Sequence, residues 1–555
     1  MKRLLFAVSL LASSTIASAV PARPGVKKAL RLTDGTEVTA ELKGDEFCHY
    51  WLADDGTAYI KEDNKDIYKA ISIDSLTRQG IARRTAANQT RMRRTPGMER
   101  MGKPTHYMGQ KRGLIILMQF PDRTFADEAS ARERYRRIAN QPGFSSEEGF
   151  TGSVYDYFKA QSRGAFELTF DVMGPYTTPR RAKYYGQDYQ GSLDVHAGEL
   201  IAEACQQADA EVNFADYDWD GDGEADQVVV IYAGQGQAAG GDENTIWPHE
   251  GKLSGIGSSQ QPLTLDNVKI DTYACSCELG LNNTIDGIGT ICHEFSHCLG
   301  LPDMYDTQSN YGSEYRKYGM SYWDLMDLGN YNDNSFTPAG YTAYERTFCG
   351  WMKPTVLTAD TSVTAMRPLS EGGEAYIIRN DAHPDEYYML ENRQPTGWDA
   401  GLPGRGLLVV HVDYNEERWA TNNVNTYSER CTVIRADNSD NRATNDLADV
   451  AGDIYPYGSN NSLTNTSVPA ATLNNDNTDG GRLMNKSILG ITQNADSTMA
   501  FRFINGIASG IADITPYKPQ AALPVYTLSG QRMADDTGSL AKGIYIIGGK
   551  KKYVK

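Results

Sequence analysis

Two histidines four residues apart, His293 and His297, with Glu294 beside the first, are the residues of this chain whose types and spacing could do chemistry. Positions i and i+4 of a helix project from one face. Two imidazoles can therefore reach a single zinc ion while the glutamate stays free to handle a proton. The helix itself is legible in the apolar stripe Ile288, Ile291, Cys292, Phe295 and Leu299, with Asp286 expected as its cap. Gly300 follows, and glycine tolerates the left-handed conformation that ends a helix. A chain turning there can return an oxygen donor, Asp303, to the metal; Asp306 competes for that role from a turn-like context.

Two other zinc layouts fit less well. A third ligand from a second helix would have to come from Glu314, which stands in a glycine- and tyrosine-rich stretch that reads as loop. An intramembrane site would need apolar runs of about 20 residues around the motif, and the sequence has none.

The stretch HEFSHCLGLPDMYD resembles the HExxHxxGxxD motif of the immune inhibitor A family of secreted metallopeptidases. SYWDLMDLGNY places Met326 where that family carries its Met-turn, with Met320 as the alternative. GLIILMQFPD, GSVYDYFKAQSRGAFELTFDVMGPY and DYDWDGDGEADQVVVIYAGQG extend the similarity over roughly residues 110 to 505. The resemblance implies an α+β, metzincin-like catalytic domain and endopeptidase activity. In the chemistry expected of such a site, zinc on His293, His297 and Asp303 acidifies a water and polarises the scissile carbonyl, while Glu294 takes and returns the proton. The alternative is a calcium-stabilised secreted binding protein on a degenerate protease fold, although an intact Glu294 would then be superfluous.

The elements that position these residues divide the chain. MKRLLFAVSLLASSTIASA reads as a secretory signal peptide over 1–19, with cleavage expected after Ala19, so a secreted or outer-surface protein is expected. Residues 20–82 alternate apolar and polar residues between tight turns and read as a small β-rich propeptide, which makes the chain a zymogen. Residues 83–112 are arginine-rich with little periodicity, an activation linker in which Arg83-Arg84 and Arg93-Arg94 stand out. The catalytic domain is expected over 113–352, a β-sandwich-like domain over 353–505, and a short β-rich cassette over 506–555. That last segment resembles type IX secretion sorting signals, which implies contact with that export machinery.

Asp216, Asp218, Asp220, Asp222, Glu224 and Asp226 alternate around Gly221 and Gly223, a density of hard oxygen donors that suits structural Ca²⁺. The frame supplies no bidentate glutamate at the twelfth position, so this is no EF-hand. The net charge of −17 excludes nucleic acid as an expected partner. Proteins or peptides are the expected substrates, with no transmembrane anchor and a monomeric chain. Cys48 as a switch on the zinc is less fitting than Cys48 as a half-buried strand residue, and the eight cysteines read mainly as buried thiols. The thirteen asparagines between Asn422 and Asn485 read as exposed loops.

Overall fold

The computed structural model describes residues 17–62, 65–88, 107–188, 193–255, 261–307, 318–439 and 447–507, and parts of the C-terminal cassette (525–528, 532–534, 542–547 and 550–554). At its centre is a six-stranded sheet in the order Ala17–Ser18, His249–Lys252, Thr272–Leu279, Val228–Gln235, Gly109–Gln119, Phe166–Thr177. The strand Gly109–Gln119 lies between two parallel neighbours. Leu114 to Met118 have no exposed surface, because a strand covered on both faces needs a continuous apolar run. The sequence AFELTFDVMGPY reads as an edge or hairpin strand; Phe166–Thr177 is an edge strand and buries only alternate residues: Phe166, Leu168, Phe170 and Val172. It joins in parallel and not as a hairpin.

Alternation sorts the central strands onto two cores. Ile115, Leu117, Val229 and Ile231 pack with the helices Ala131–Asn140, Val154–Gln161 and Gly289–Cys298. Leu114, Ile116, Val228 and Val230 pack instead against Ala197–Ala208. The helix at Val154 starts from a reciprocal cap between Ser153 and Asp156, which satisfies two otherwise orphaned N–H groups. Thr342 and Glu345 do the same for the short closing helix Ala343–Phe348.

Before this core, residues 27–71 form a five-stranded antiparallel meander in sequence order. The helix Ile73–Asn88 follows, so the boundary expected at residue 83 falls inside a helix. Arg84 is buried there: its Nη2 donates to Asp45 Oδ2 at 2.5 Å and to the Thr307 carbonyl at 3.2 Å. The expectation of an accessible Arg83-Arg84 pair is thereby corrected, while Arg93-Arg94 lies outside the described residues.

After the core, a five-stranded sheet (Thr355–Val356, Tyr376–Arg379, Glu386–Arg393, Gly406–Asp413, Cys431–Val433) faces a three-stranded one (Thr361–Met366, Met499–Ile504, Ser487–Gln493). Ile378, Leu390 and Val409 from the first share a core with Val363, Ile488 and Phe501 from the second. The asparagines of this region are not simply exposed loop residues. Asn422, Asn425 and Asn477 are buried, and Asn425 Nδ2 donates to the Met304 carbonyl at 2.6 Å. The cassette carries four short strands in one sheet. Among the described residues no helix is long and apolar enough to cross a membrane.

Candidate metal centre

The helix Gly289–Cys298 presents His293 and His297 from one face, both buried. Its N-cap position is Ile288; Asp286 lies outside the helix, where its carboxylate pairs with Arg23 at 3.3 Å and accepts from Thr290 Oγ1 at 2.8 Å. The expected capping role of Asp286 is therefore corrected. At the other end the chain behaves as its glycine demands. Gly300 has φ +98°, its N–H donates to the His297 carbonyl, and Leu301 N–H donates to the Ser296 carbonyl. This pair of bonds is the Schellman stop, and it swings Pro302 and Asp303 back across the helix.

The result is a cluster of three. His293 Nε2 and His297 Nε2 stand 3.1 Å apart, and each is 3.3 Å from Asp303 Oδ1. His293 Nδ1 lies 2.8 Å from the Leu325 carbonyl, and His297 Nδ1 lies 2.8 Å from the Leu301 carbonyl. A carbonyl can only accept, so both Nδ1 atoms carry protons and both neutral rings turn lone pairs on Nε2 toward each other. Two lone pairs and a carboxylate oxygen crowded together without water repel unless a cation joins them. Tetrahedral ligands ~2.0–2.1 Å from zinc lie about 3.3 Å from one another, which is the spacing found. Asp303 Oδ1 has no hydrogen-bond donor among the described residues. The donor set fits a zinc ion.

Two supports were not legible in the sequence. Asn422, from the C-terminal β-unit, receives the Asp303 N–H on Oδ1 at 2.6 Å and donates its Nδ2 to Asp303 Oδ2. That clamp turns the other carboxylate oxygen to the histidines. The second support is Leu325, whose carbonyl orients His293; buried Met326 follows it directly, with its carbonyl accepting from Met304 N–H at 2.8 Å. Met320, the alternative, is buried too, and its N–H binds Asp327 Oδ2. Asp306 is buried but does not join the cluster. Glu314 lies outside the described residues.

Glu294 is almost wholly buried next to this cluster. Oε1 accepts the Val20 N–H at 2.9 Å, whereas Oε2 has no hydrogen-bond partner among the described residues. Burial pushes its carboxyl well above the ordinary range, and Asp303, Glu46 and Glu250 push the same way. The segment around Val20 crosses the site as a strap. Tyr305 Oη donates to the Ala19 carbonyl at 2.8 Å, Trp247 Nε1 to the Val20 carbonyl at 2.9 Å, and Tyr331 Oη to the Pro21 carbonyl at 2.6 Å. No motif in the sequence announces these contacts.

Other candidates resolve separately. The six acidic residues of the aspartate loop do not converge as a group. Only Asp218, Asp220 and Asp222 bring carboxylate oxygens within 4.8 Å of one another. Asp216 pairs with Arg112, Glu224 with Lys269, and Asp226 accepts from Trp219 N–H. Cys48 is buried, donates to the Leu76 carbonyl at 3.4 Å, and has its thiol pushed up to about 12 by burial. It is no ligand of the cluster. All eight cysteines are unbridged. His249 is held between the Trp247 carbonyl and Tyr273 Oη, each at 2.7 Å, and His411 binds Glu386 at 2.8 Å; both are structural.

Residues 106–352 match the family described as immune inhibitor A peptidase M6, catalytic domain. A pre-pro-metalloprotease, PrtV, of Vibrio cholerae serotype O1 is 28% identical over 262 residues, 40% of this chain and 28% of the relative. Immune inhibitor A of Bacillus thuringiensis subsp. alesti is 24% identical over 294 residues, 43% of this chain and 40% of the relative. The chain thus spans well under half the length of these curated relatives.

Proposed function

We propose that this protein is a secreted zinc endopeptidase made as a latent precursor, with proteins or peptides as substrates. The observation that carries the reading is the convergence of His293 Nε2, His297 Nε2 and Asp303 Oδ1 beside a buried glutamate. His293, His297 and Asp303 would hold the zinc, which when bound supplies Lewis acidity toward water and the substrate carbonyl. Glu294 takes a proton from the attacking water on the carboxylate that its buried position keeps basic, then returns it to the leaving amine. Asn422 and the Leu301 and Leu325 carbonyls keep the ligand atoms aimed, so little reorganises as charge moves.

Latency finds support in the strap. The Val20 nitrogen, first of the chain once residues 1–19 are removed, lies against Glu294 Oε1, and Val20 and Pro21 are tied across the site by Trp247 and Tyr331. Cutting between residues 88 and 107 would free the unit 20–88 to leave. Asp218, Asp220 and Asp222 are proposed to bind structural calcium, supported by their mutual approach and by the left-handed Gly221 and Gly223 in the same turn. Export by residues 1–19 and a sorting role for residues 506–555 complete the reading.

Casein zymography of the chain cut within 89–106, with and without a zinc chelator, tests it. Clearing that disappears with chelator and returns with added zinc supports the proposal. Clearing that survives the chelator removes the metal from the mechanism, and absence of clearing leaves the binding-protein alternative.

A further inference from the structure

The part of the strap that remains after the proposed export is Val20-Pro21-Ala22-Arg23. With residues 1–19 removed, the Val20 nitrogen is an amine, and it lies 2.9 Å from Glu294 Oε1. In the proposed chemistry Glu294 returns a proton to the nitrogen of the leaving amine. Val20 therefore stands where the first residue after a cut would stand, and Arg23 stands fourth.

The main chain of this segment is held without regard to sequence. Trp247 Nε1 donates to the Val20 carbonyl at 2.9 Å and Tyr331 Oη to the Pro21 carbonyl at 2.6 Å, while the Arg23 N–H donates to the Ala238 carbonyl at 2.9 Å. The Arg23 side chain is held differently. It is the one charged side chain of the four, and it is buried. Its Nη1 lies 3.3 Å from Asp286 Oδ1, its Nη2 donates to Asn334 Oδ1 at 3.1 Å, and its guanidinium carbon stands 5.2 Å from the centre of the Tyr331 ring. Gly280 leaves the room for it: a Cβ there would come within 2.6 Å of Asp286 Oδ1 and 3.0 Å of Arg23 Nη1. When the unit 20–88 leaves, the recess loses its cation and keeps its carboxylate.

We propose that Asp286, Tyr331 and Asn334 form a subsite of the released enzyme that selects arginine at the fourth position after the bond being cut. The inference rests on the peptidase reading above. Arginine fits better than lysine, because its planar fork reaches two separate partners while its face lies over a ring; an ammonium is a single point of charge. Tyr331 ties the cation to the backbone register, since its hydroxyl holds the carbonyl of the second residue and its ring takes the fourth. The subsite lies three residues beyond the leaving nitrogen. It therefore binds ground state and transition state alike, and its effect belongs in KM.

Internally quenched peptides identical except at that position carry Arg, Lys, Gln or Glu. Wild type, Asp286→Asn and Asn334→Gly are purified as full chains and cut in the linker. The readouts are kcat and KM on each peptide, zinc content and melting temperature, with mass spectrometry of the products to fix the bond cut. Wild type should favour Arg over Gln by ~10-fold or more in kcat/KM, as hydrogen bonds to charged groups allow, with Lys between them and Glu last. The difference should lie mostly in KM. In Asp286→Asn the Arg-to-Gln ratio should collapse toward one. Asn334 is exposed at φ +55°, a conformation glycine adopts freely, and Asn334→Gly should bring Arg down to the level of Lys. A wild-type ratio near one overturns the subsite and leaves the peptidase reading intact, with Arg23 serving the latent state alone. A preference for Arg that both variants retain assigns the selection to other residues and also overturns it. An inactive wild type overturns the peptidase reading and this proposal with it.

Discussion

The amide nitrogen of Val20 lies 2.9 Å from Oε1 of Glu294, 274 residues away in sequence. The carboxylate that the proposed chemistry needs for water is taken by the chain's own N-terminal segment. Arg23 pins that segment, with Nη1 on Asp286 at 3.3 Å and Nη2 on Asn334 at 3.1 Å. Arg23→Ala should loosen the strap and give the uncut chain measurable peptidase activity, at a rate below that of the cut enzyme. Hydrolysis by uncut wild type at the rate of cut wild type would contradict the latent state.

Arg84 holds the same unit from its other end. Breaking one partner of a buried ion pair strands the other and costs about 3–5 kcal/mol, and Arg84→Ala would strand both Asp45, at 2.5 Å from its guanidinium, and Glu46, at 3.9 Å. The uncut variant should melt earlier than wild type and release the unit 20–88 more readily once the linker is cut. Co-elution of the cut unit with the remainder of the chain on gel filtration measures this. Equal retention in variant and wild type would make Arg84 dispensable.

Asp303→Ala should lose most of the zinc, since only two protein ligands would remain. Asp306→Ala should keep it, because Asp306 does not join the cluster. Asn422→Ala should fall between them, its clamp on Asp303 being an orienting contact that is expected to matter by about 10- to 100-fold in affinity. Zinc titration of the three variants ranks them, and the reverse order for the two aspartates would reassign the ligand.

The C-terminal β-unit should show an acid transition set by Glu386. Burial would raise its carboxyl, but hydrogen bonds from His411, Asn380 and the Asn474 N–H hold it down at about 2 against an ordinary 4.5. A depressed carboxyl stabilises the folded state above its unfolded value, and that stability is lost as pH falls from 4.5 toward 2. Melting temperature against pH should therefore drop across this window, and Glu386→Gln should flatten the drop. An identical slope in the variant would assign the acid sensitivity elsewhere.

What the sequence made legible follows from how local each signal is. The i, i+4 histidines, the glycine stop and Asp303 all lie within eleven residues, His293 to Asp303, so helix geometry alone brings them together. The continuous run Leu114 to Met118 shows its two-sided burial for the same reason. Asn422 contacts Asp303 across 119 positions, and Val20 reaches Glu294 across 274; no periodicity carries such pairings. The aspartate loop misled in the opposite sense. Six alternating acids look like one site, yet Arg112, Lys269 and the Trp219 N–H draw three of them away. Arg83-Arg84 misled because a dibasic pair signals accessibility only when no buried acid, here Asp45, waits for it.

The central claim is that Glu294 moves protons at a metal it does not hold. Glu294→Gln, purified as the full chain and cut in the linker, is assayed for zinc per chain alongside peptide hydrolysis. The account predicts wild-type zinc content with hydrolysis reduced by about 10²-fold or more. Wild-type hydrolysis in this variant, or loss of its zinc, would contradict it.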